Sequence, residues 1–168
     1  MSRFEKVTFE QWKADCGING LDDKTLREWF DAIKLPRQAT AASAGCDFFM
    51  PFNLNFEGGS SFRIATGVRW VCDRSGGDRD KVLLIVPRSG LGFKYGIRLS
   101  NTVGVIDADY CDSDNEGHII ISLVNPSDRA VMLDEGKPFA QGIVVRYEVP
   151  EGAGSEDARN GGFGSTDK

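Results

Sequence analysis

Apolar residues recur at helical spacing in one early part of the chain. Between Thr8 and Ile33 the pattern is helical, with Leu26, Trp29, Phe30 and Ile33 at i, i+3, i+4 and i+7 on one face. Asp22 and Asp23 stand just ahead of that face as candidate N-caps, and Thr8 with Gln11 has the spacing of a capping box. The stripe reads as a packing face. From Pro36 onward the pattern changes to short runs rich in β-branched and aromatic residues, broken by Gly, Pro, Asn and Asp. Phe62–Val71, Lys81–Val86, His118–Val124 and Gly142–Val149 are predicted strands. With no helical stretch between them, they predict an all-β body of the sandwich or barrel kind. Residues 73–80 form a polar loop between two strands. The stretch from Glu151 to Lys168 holds Gly152, Gly154, Gly161, Gly162 and Gly164 and almost no core-forming residue, so it predicts a mobile tail. The division expected is a helical extension over 1–34, a β domain over 35–150 and a tail over 151–168. No internal repeat is evident.

Composition narrows the function classes. A chain of 168 residues can bury roughly 70% of its unfolded surface, enough for a single core, and 40% hydrophobic with 27% charged residues excludes a disordered chain. No apolar stretch approaches the roughly 18 residues of a membrane helix, which predicts a soluble protein with no membrane partner. A net charge of -5 argues against nucleic acid as a partner while leaving room for a small anion in a local basic pocket. Residues Met1 to Lys13 lack the apolar core of a secretory signal, so the expected compartment is the cytoplasm. Cys16, Cys46, Cys72 and Cys111 never fall as Cys-x-x-Cys and are expected as free thiols. His118 is the sole histidine, which rules out a histidine metal cage, and its place at a strand start predicts a structural role.

Three stretches carry chemistry. Pro87 to Gly92 follows an apolar strand and combines Arg88, Ser89 and two glycines, the ingredients for close approach to a phosphate; a plain turn is the other reading. Asn101 to Tyr110 places an amide, two carboxylates and an aromatic within ten residues. In an extended chain Asp107 and Asp109 would share a face and could handle a proton or a hydrated cation, or they are simply solvated hairpin charges. Arg159 to Thr166 pairs a guanidinium with a glycine-rich run and two hydroxyls, and alone reads as a linker-like tail.

In kind and order these stretches resemble the motifs of the trimeric deoxyuridine triphosphatase (dUTPase) family. All five motifs are matched: Ala44 to Asp47, Pro87 to Gly92, Asn101 to Tyr110, Gly136 to Gln141 and Arg159 to Thr166. The resemblance implies a jelly-roll subunit, a homotrimer with three sites at subunit boundaries, Mg2+ on the triphosphate, and conversion of dUTP to dUMP and pyrophosphate. Carried over residue by residue, it implies that Asp107 activates the water attacking the α-phosphorus. Gly104, Val105 and Ile106 would lie along the nucleoside, Asn101 would recognise uracil, and Tyr110 would sit under the deoxyribose and exclude a 2'-hydroxyl. Arg88, Ser89, Gly90 and Gln141 would hold the phosphates, and Asp47 would hold waters of the magnesium shell, in keeping with that ion's reluctance to dehydrate. The tail would close over the nucleotide, with Phe163 on uracil, Arg159 on the γ-phosphate, and Gly164, Ser165 and Thr166 near the phosphates.

The chain also departs from the family pattern. Cys46 and Phe48 flank Asp47 where Tyr and Leu are frequent, and Lys137-Pro138-Phe139 replaces Asp-Arg-Ile. Cys111 to Glu116 is similar to an insertion after Tyr110, Arg159 and Phe163 stand one residue closer than in many members, and Asp167 follows Thr166 where Gly is usual. The extension before Lys34 resembles the longer dUTPases of Gram-positive bacteria and their phages, some of which also bind a repressor; a regulatory protein partner is therefore the alternative. The related dCTP deaminases use Glu at the position of Asp107, which favours hydrolysis here.

Overall fold

The computed structural model describes residues 1–18, 20–75, 77 and 79–155. Eleven strands make up most of its regular structure. Sheet A has the order β1(Arg3–Lys6)-β5(Ser61–Val71)-β9(His118–Val124)-β7(Arg98–Leu99). Sheet B has the order β2(Arg37–Gln38)-β3(Cys46–Phe49)-β11(Pro138–Arg146)-β6(Lys81–Pro87)-β8(Gly104–Ile106), and β10(Val131–Leu133) pairs with β4(Leu54–Phe56). Every pairing is antiparallel. Side chains from both large sheets meet in one core that includes Ile64, Trp70, Leu83, Ile85, Leu123 and Phe139. This is an all-β jelly roll, as the family resemblance implied and within the sandwich or barrel class that the strand pattern predicted.

The first 34 residues join that core. Before the helices comes β1, which sequence pattern did not foresee: three of its four residues are only partly covered, and pairing along Val68–Val71 of β5 is what makes it a strand. Helix α1 (Phe9–Cys16) begins at the expected cap, with the Gln11 amide donating to Thr8 Oγ1 at 3.2 Å. Helix α2 (Asp23–Ala32) is capped by Asp22, whose carboxylate accepts from the Thr25 amide at 2.8 Å. Leu26, Phe30 and Ile33 are buried and Trp29 is partly buried against the same cluster, as the stripe required. Trp12 is fully buried and its Nε1–H donates to Ala65 O at 3.0 Å, tying α1 to the middle of β5. There the register with β9 breaks between Ala65 and Arg69, at Gly67. Gly67 has φ +71, and a Cβ on it would lie 2.3 Å from Ile33 Cδ1 and 3.3 Å from Trp12 Cδ1. The bulge gives the extension room to pack.

Other expectations are corrected in detail. The last strand spans Pro138–Arg146 rather than Gly142–Val149, because Pro138 pairs with β3 and Ala140 and Gln141 pair with both β3 and β6. A helix does interrupt the strands: α3 (Ser89–Tyr95) follows Arg88, and Gly96 closes it with φ +71. No helix among the described residues is long and apolar enough to cross a membrane. None of the four cysteines is in a disulfide.

Candidate active site

Among the described residues, the predicted site residues fall into two groups, one where β6 ends at Pro87 and one on and around β8, which pairs with Leu83 to Ile85 of β6. At the end near Pro87, Asp47 on β3 is the register partner of Gln141 on β11, and Gln141 is the partner of Val86 on β6. Arg88 leaves the end of this strand, and its Nη1 pairs with Asp47 Oδ2, which is nearly buried. Gln141 Nε2 donates to Pro87 O at 3.4 Å. Ser89 and Gly90 open α3 and are exposed, and nothing lies within 4 Å of a Cβ built on Gly90. The stretch expected as a plain turn or a phosphate loop is thus a strand end followed by a short helix.

The second group begins with the turn that leads into β8. Asn101 is exposed there, and Thr102 next to it has a left-handed φ of 67°. A cavity of about 380 Å³ is lined by Asn101, Gly104, Val105 and Ile106 on one side and by Ile85 and Ile119 on the other. After Ile106 the chain turns, with the Tyr110 amide donating to Asp107 O at 3.1 Å. Asp107 and Asp109 therefore do not alternate along an extended strand, and Asp109 is in the αR region. The turn nevertheless brings both to one open polar cavity of about 930 Å³, shared with Arg74, Arg79 and Tyr147. Those three were not singled out in the sequence. The signal available was the pair of arginines in the acidic loop that residues 73–80 form.

Tyr110 is buried, and its hydroxyl donates to His118 O at 3.2 Å. His118 is structural, as expected. The Gly67 amide donates to Nε2 at 2.8 Å, so Nδ1 carries the proton and donates to Asp15 Oδ2 at 2.7 Å. Burial holds its pKa below the usual histidine value, although Asp15 pulls the other way. Burial likewise raises the thiols of Cys46, beside Asp47, and Cys111, which keeps them protonated and poor nucleophiles. Arg159, Phe163, Gly164, Ser165 and Thr166 lie outside the described residues.

A carboxylate facing an open polar cavity can take a proton from water, and an arginine fixed beside a hydroxyl and an amide can hold a phosphate. Groups of this kind suit hydrolysis of a phosphorylated substrate. A dUTPase family model matches residues 31–167. The deoxyuridine 5'-triphosphate nucleotidohydrolase of Lactococcus lactis subsp. lactis (strain IL1403) is 34% identical over 137 residues, covering 80% of this chain and 88% of the relative. A crystal structure of the dUTPase from Streptococcus mutans superimposes with a TM-score of 0.65 at 29% identity, over 89% of this chain and 98% of the other. The dUTPase from phage phi11 of S. aureus, whose structure reveals the coordination of a structural Mg(II) ion, matches in fold with a TM-score of 0.59 at 20% identity, over 76% and 92% of the chains. The chain belongs to the dUTPase family, as a nucleotide hydrolase acting on deoxyuridine 5'-triphosphate.

Proposed function

We propose that the chain works as a homotrimer in which each dUTP binds between protomers, with Asp107 from one chain and the Arg88 group from its neighbour. The observation that carries this is the placement along β6. Leu83 pairs with Ile106, so Asp107 lies level with Val82, and Arg88 stands six residues further along. At about 3.3 Å per residue that separation is roughly 20 Å, longer than a triphosphate. That separation supports a site in which two chains supply the two groups to one nucleotide. Leu84 pairs with Val105 on one side and Ile143 on the other, all three lie on sheet B outside the core cluster, and Val105 is 60% exposed, which provides an apolar face for assembly.

In this reading Asp107 orients a water and accepts its proton as the oxygen attacks the α-phosphorus, releasing pyrophosphate. Asn101 recognises uracil at the smaller cavity, with Gly104, Val105 and Ile106 along the nucleoside. The Tyr110 ring lies under the deoxyribose and leaves no space for a 2'-hydroxyl. Arg88, Ser89, Gly90 and Gln141 hold phosphate oxygens. The tail over 151–168 closes the site, with Phe163 on the base, Arg159 on the γ-phosphate, and Gly164, Ser165 and Thr166 near the phosphates.

The donor set suits Mg2+ in an outer-sphere role. Asp47 is a hard oxygen donor whose carboxylate is shared with Arg88, and no group of three His, Cys, Asp or Glu forms a cage among the described residues. Asp47 would thus hold the ion through its waters, and bound Mg2+ would offset phosphate charge. The test is hydrolysis of dUTP in ¹⁸O-labelled water, with dTTP, dCTP and UTP as competitors. Label in dUMP and preference for dUTP support the reading; label in pyrophosphate contradicts it.

A further inference from the structure

Residues 111–116, which the family pattern leaves without a role, connect the N-terminal extension to Tyr110. Asn115 Nδ2 donates to the Tyr110 hydroxyl oxygen at 3.0 Å, while that hydroxyl donates to His118 O, so both hydrogen-bonding functions of the phenol are engaged. Asn115 is itself fixed, since its Oδ1 accepts from the Gly117 amide at 3.1 Å and its backbone carbonyl accepts from the His118 amide at 3.0 Å. Ser113 closes the loop from the other side, with Oγ donating to Tyr110 O at 2.6 Å.

The neighbouring Glu116 reaches outward to the extension. Its carboxylate accepts from the Thr8 amide at 2.8 Å and from Thr8 Oγ1 at 2.6 Å, at the residue that caps α1. Burial opposes its ionisation, but the two Thr8 bonds and the charge of Arg69 outweigh this and hold its pKa below the usual glutamate range. The geometry is held under strain. Glu116 has φ 58, in the left-handed region, and Gly117 after it has φ +71. A Cβ on Gly117 would stand 2.5 Å from Cys111 Cα and 2.8 Å from Tyr110 O, so the loop is pressed against the backbone of Tyr110 itself.

We infer that Asn115 and Glu116 are positioning residues: Asn115 fixes the Tyr110 ring through its hydroxyl, and Glu116 locks this loop to Thr8, so that the N-terminal extension sets how strictly the site rejects a 2'-hydroxyl. The inference rests on the assignment of Tyr110 to the sugar. A ring held at both ends cannot tilt to admit an extra oxygen, whereas a ring freed of Asn115 can. The extension thus contributes to substrate selection without touching substrate.

The test is steady-state kinetics of the full chain on dUTP and UTP, with thermal melts alongside. Asn115→Ala removes one hydrogen bond that acts through geometry, so the ratio of kcat/KM for dUTP to that for UTP should fall about 3- to 10-fold. Glu116→Ala should lower the ratio in the same direction, and Glu116→Gln, which keeps an acceptor for Thr8, should restore it. A purely structural role would lower the melting temperature and scale both substrates alike. An unchanged ratio in Asn115→Ala and Glu116→Ala, with Tyr110→Ala still lowering it, overturns the inference and leaves the sugar assignment standing. An unchanged ratio in Tyr110→Ala overturns that assignment instead, and the inference with it. Should Asn115→Ala not fold, Glu116→Ala against Glu116→Gln decides in the same way.

Discussion

Replacing Trp12 by Ala tests whether the N-terminal extension is part of the fold or an appendage. The ring is fully buried and lies 5.7 Å from the Phe30 ring and 6.3 Å from that of Phe9, at the point where α1, α2 and β5 meet. Truncating a buried Trp to Ala costs about 3–5 kcal/mol. The same change strips Ala65 O of its 3.0 Å donor, which adds about 1 kcal/mol when the carbonyl stays buried. The sum, about 4–6 kcal/mol, is a large share of the 5–15 kcal/mol that holds a typical domain. Gly67 lies beside the ring's edge, where a Cβ would stand 3.3 Å from Trp12 Cδ1, and having no side chain it cannot fill the space the indole leaves. Urea unfolding at fixed protein concentration, followed by far-ultraviolet circular dichroism, measures the loss; concentration is held because assembly contributes to stability. Trp29→Ala serves as the control, since Trp29 is only partly buried against Phe52 and should lose less than half as much. A loss below about 1 kcal/mol for Trp12→Ala would refute the reasoning, and the extension would then be dispensable to the core.

Two further outcomes follow from the site and from its buried histidine. Asp107→Asn should keep nucleotide affinity and lose on the order of 100- to 10,000-fold in kcat, the span of a general base; near wild-type turnover would remove Asp107 from its role. Because burial holds the His118 pKa below its ordinary 6.5, the unfolded chain binds the proton more readily than the folded one. Stability from this group is therefore complete above about pH 6.5 and is lost as pH falls from there through the depressed folded value; His118→Gln should flatten that limb in pH-dependent melts, and an unchanged limb would contradict the assignment.

What the sequence disclosed depended on how local the cause was. Capping at Thr8 and Asp22 is a contact within four residues, and both helices start where the side chains predict. His118–Val124 alternates against a single core and has the predicted bounds. β1 was invisible because its strand character comes from β5, more than sixty residues away. Helix α3 was unexpected because Gly90 and Gly92 are poor helix formers, and the segment is fixed at its start by Arg88, which a distant carboxylate, Asp47, holds. At Asp107 the residue type was legible while the backbone was not: a turn, rather than alternation, gathers the two carboxylates. Arg74 and Arg79 join them from the loop between β5 and β6, and Tyr147 from the chain after β11, so three separate parts of the sequence meet there. The motifs themselves announced the family, but nothing in their order shows that Asp107 and Arg88 stand at opposite ends of one strand.

That separation is the central claim, and subunit mixing tests it most directly. Asp107→Asn and Arg88→Ala are each prepared, then denatured, mixed in equal amounts and refolded, with mixed trimers verified by native mass spectrometry. If base and phosphate clamp come from different chains, a site is intact whenever Asp107 is supplied by the Arg88→Ala chain and Arg88 by the Asp107→Asn chain. Random reassortment makes about one quarter of sites intact, so activity should rise from the low level of either parent to about a quarter of wild type. Mixed trimers whose activity stays at the parental level would place both groups in one chain and contradict the account.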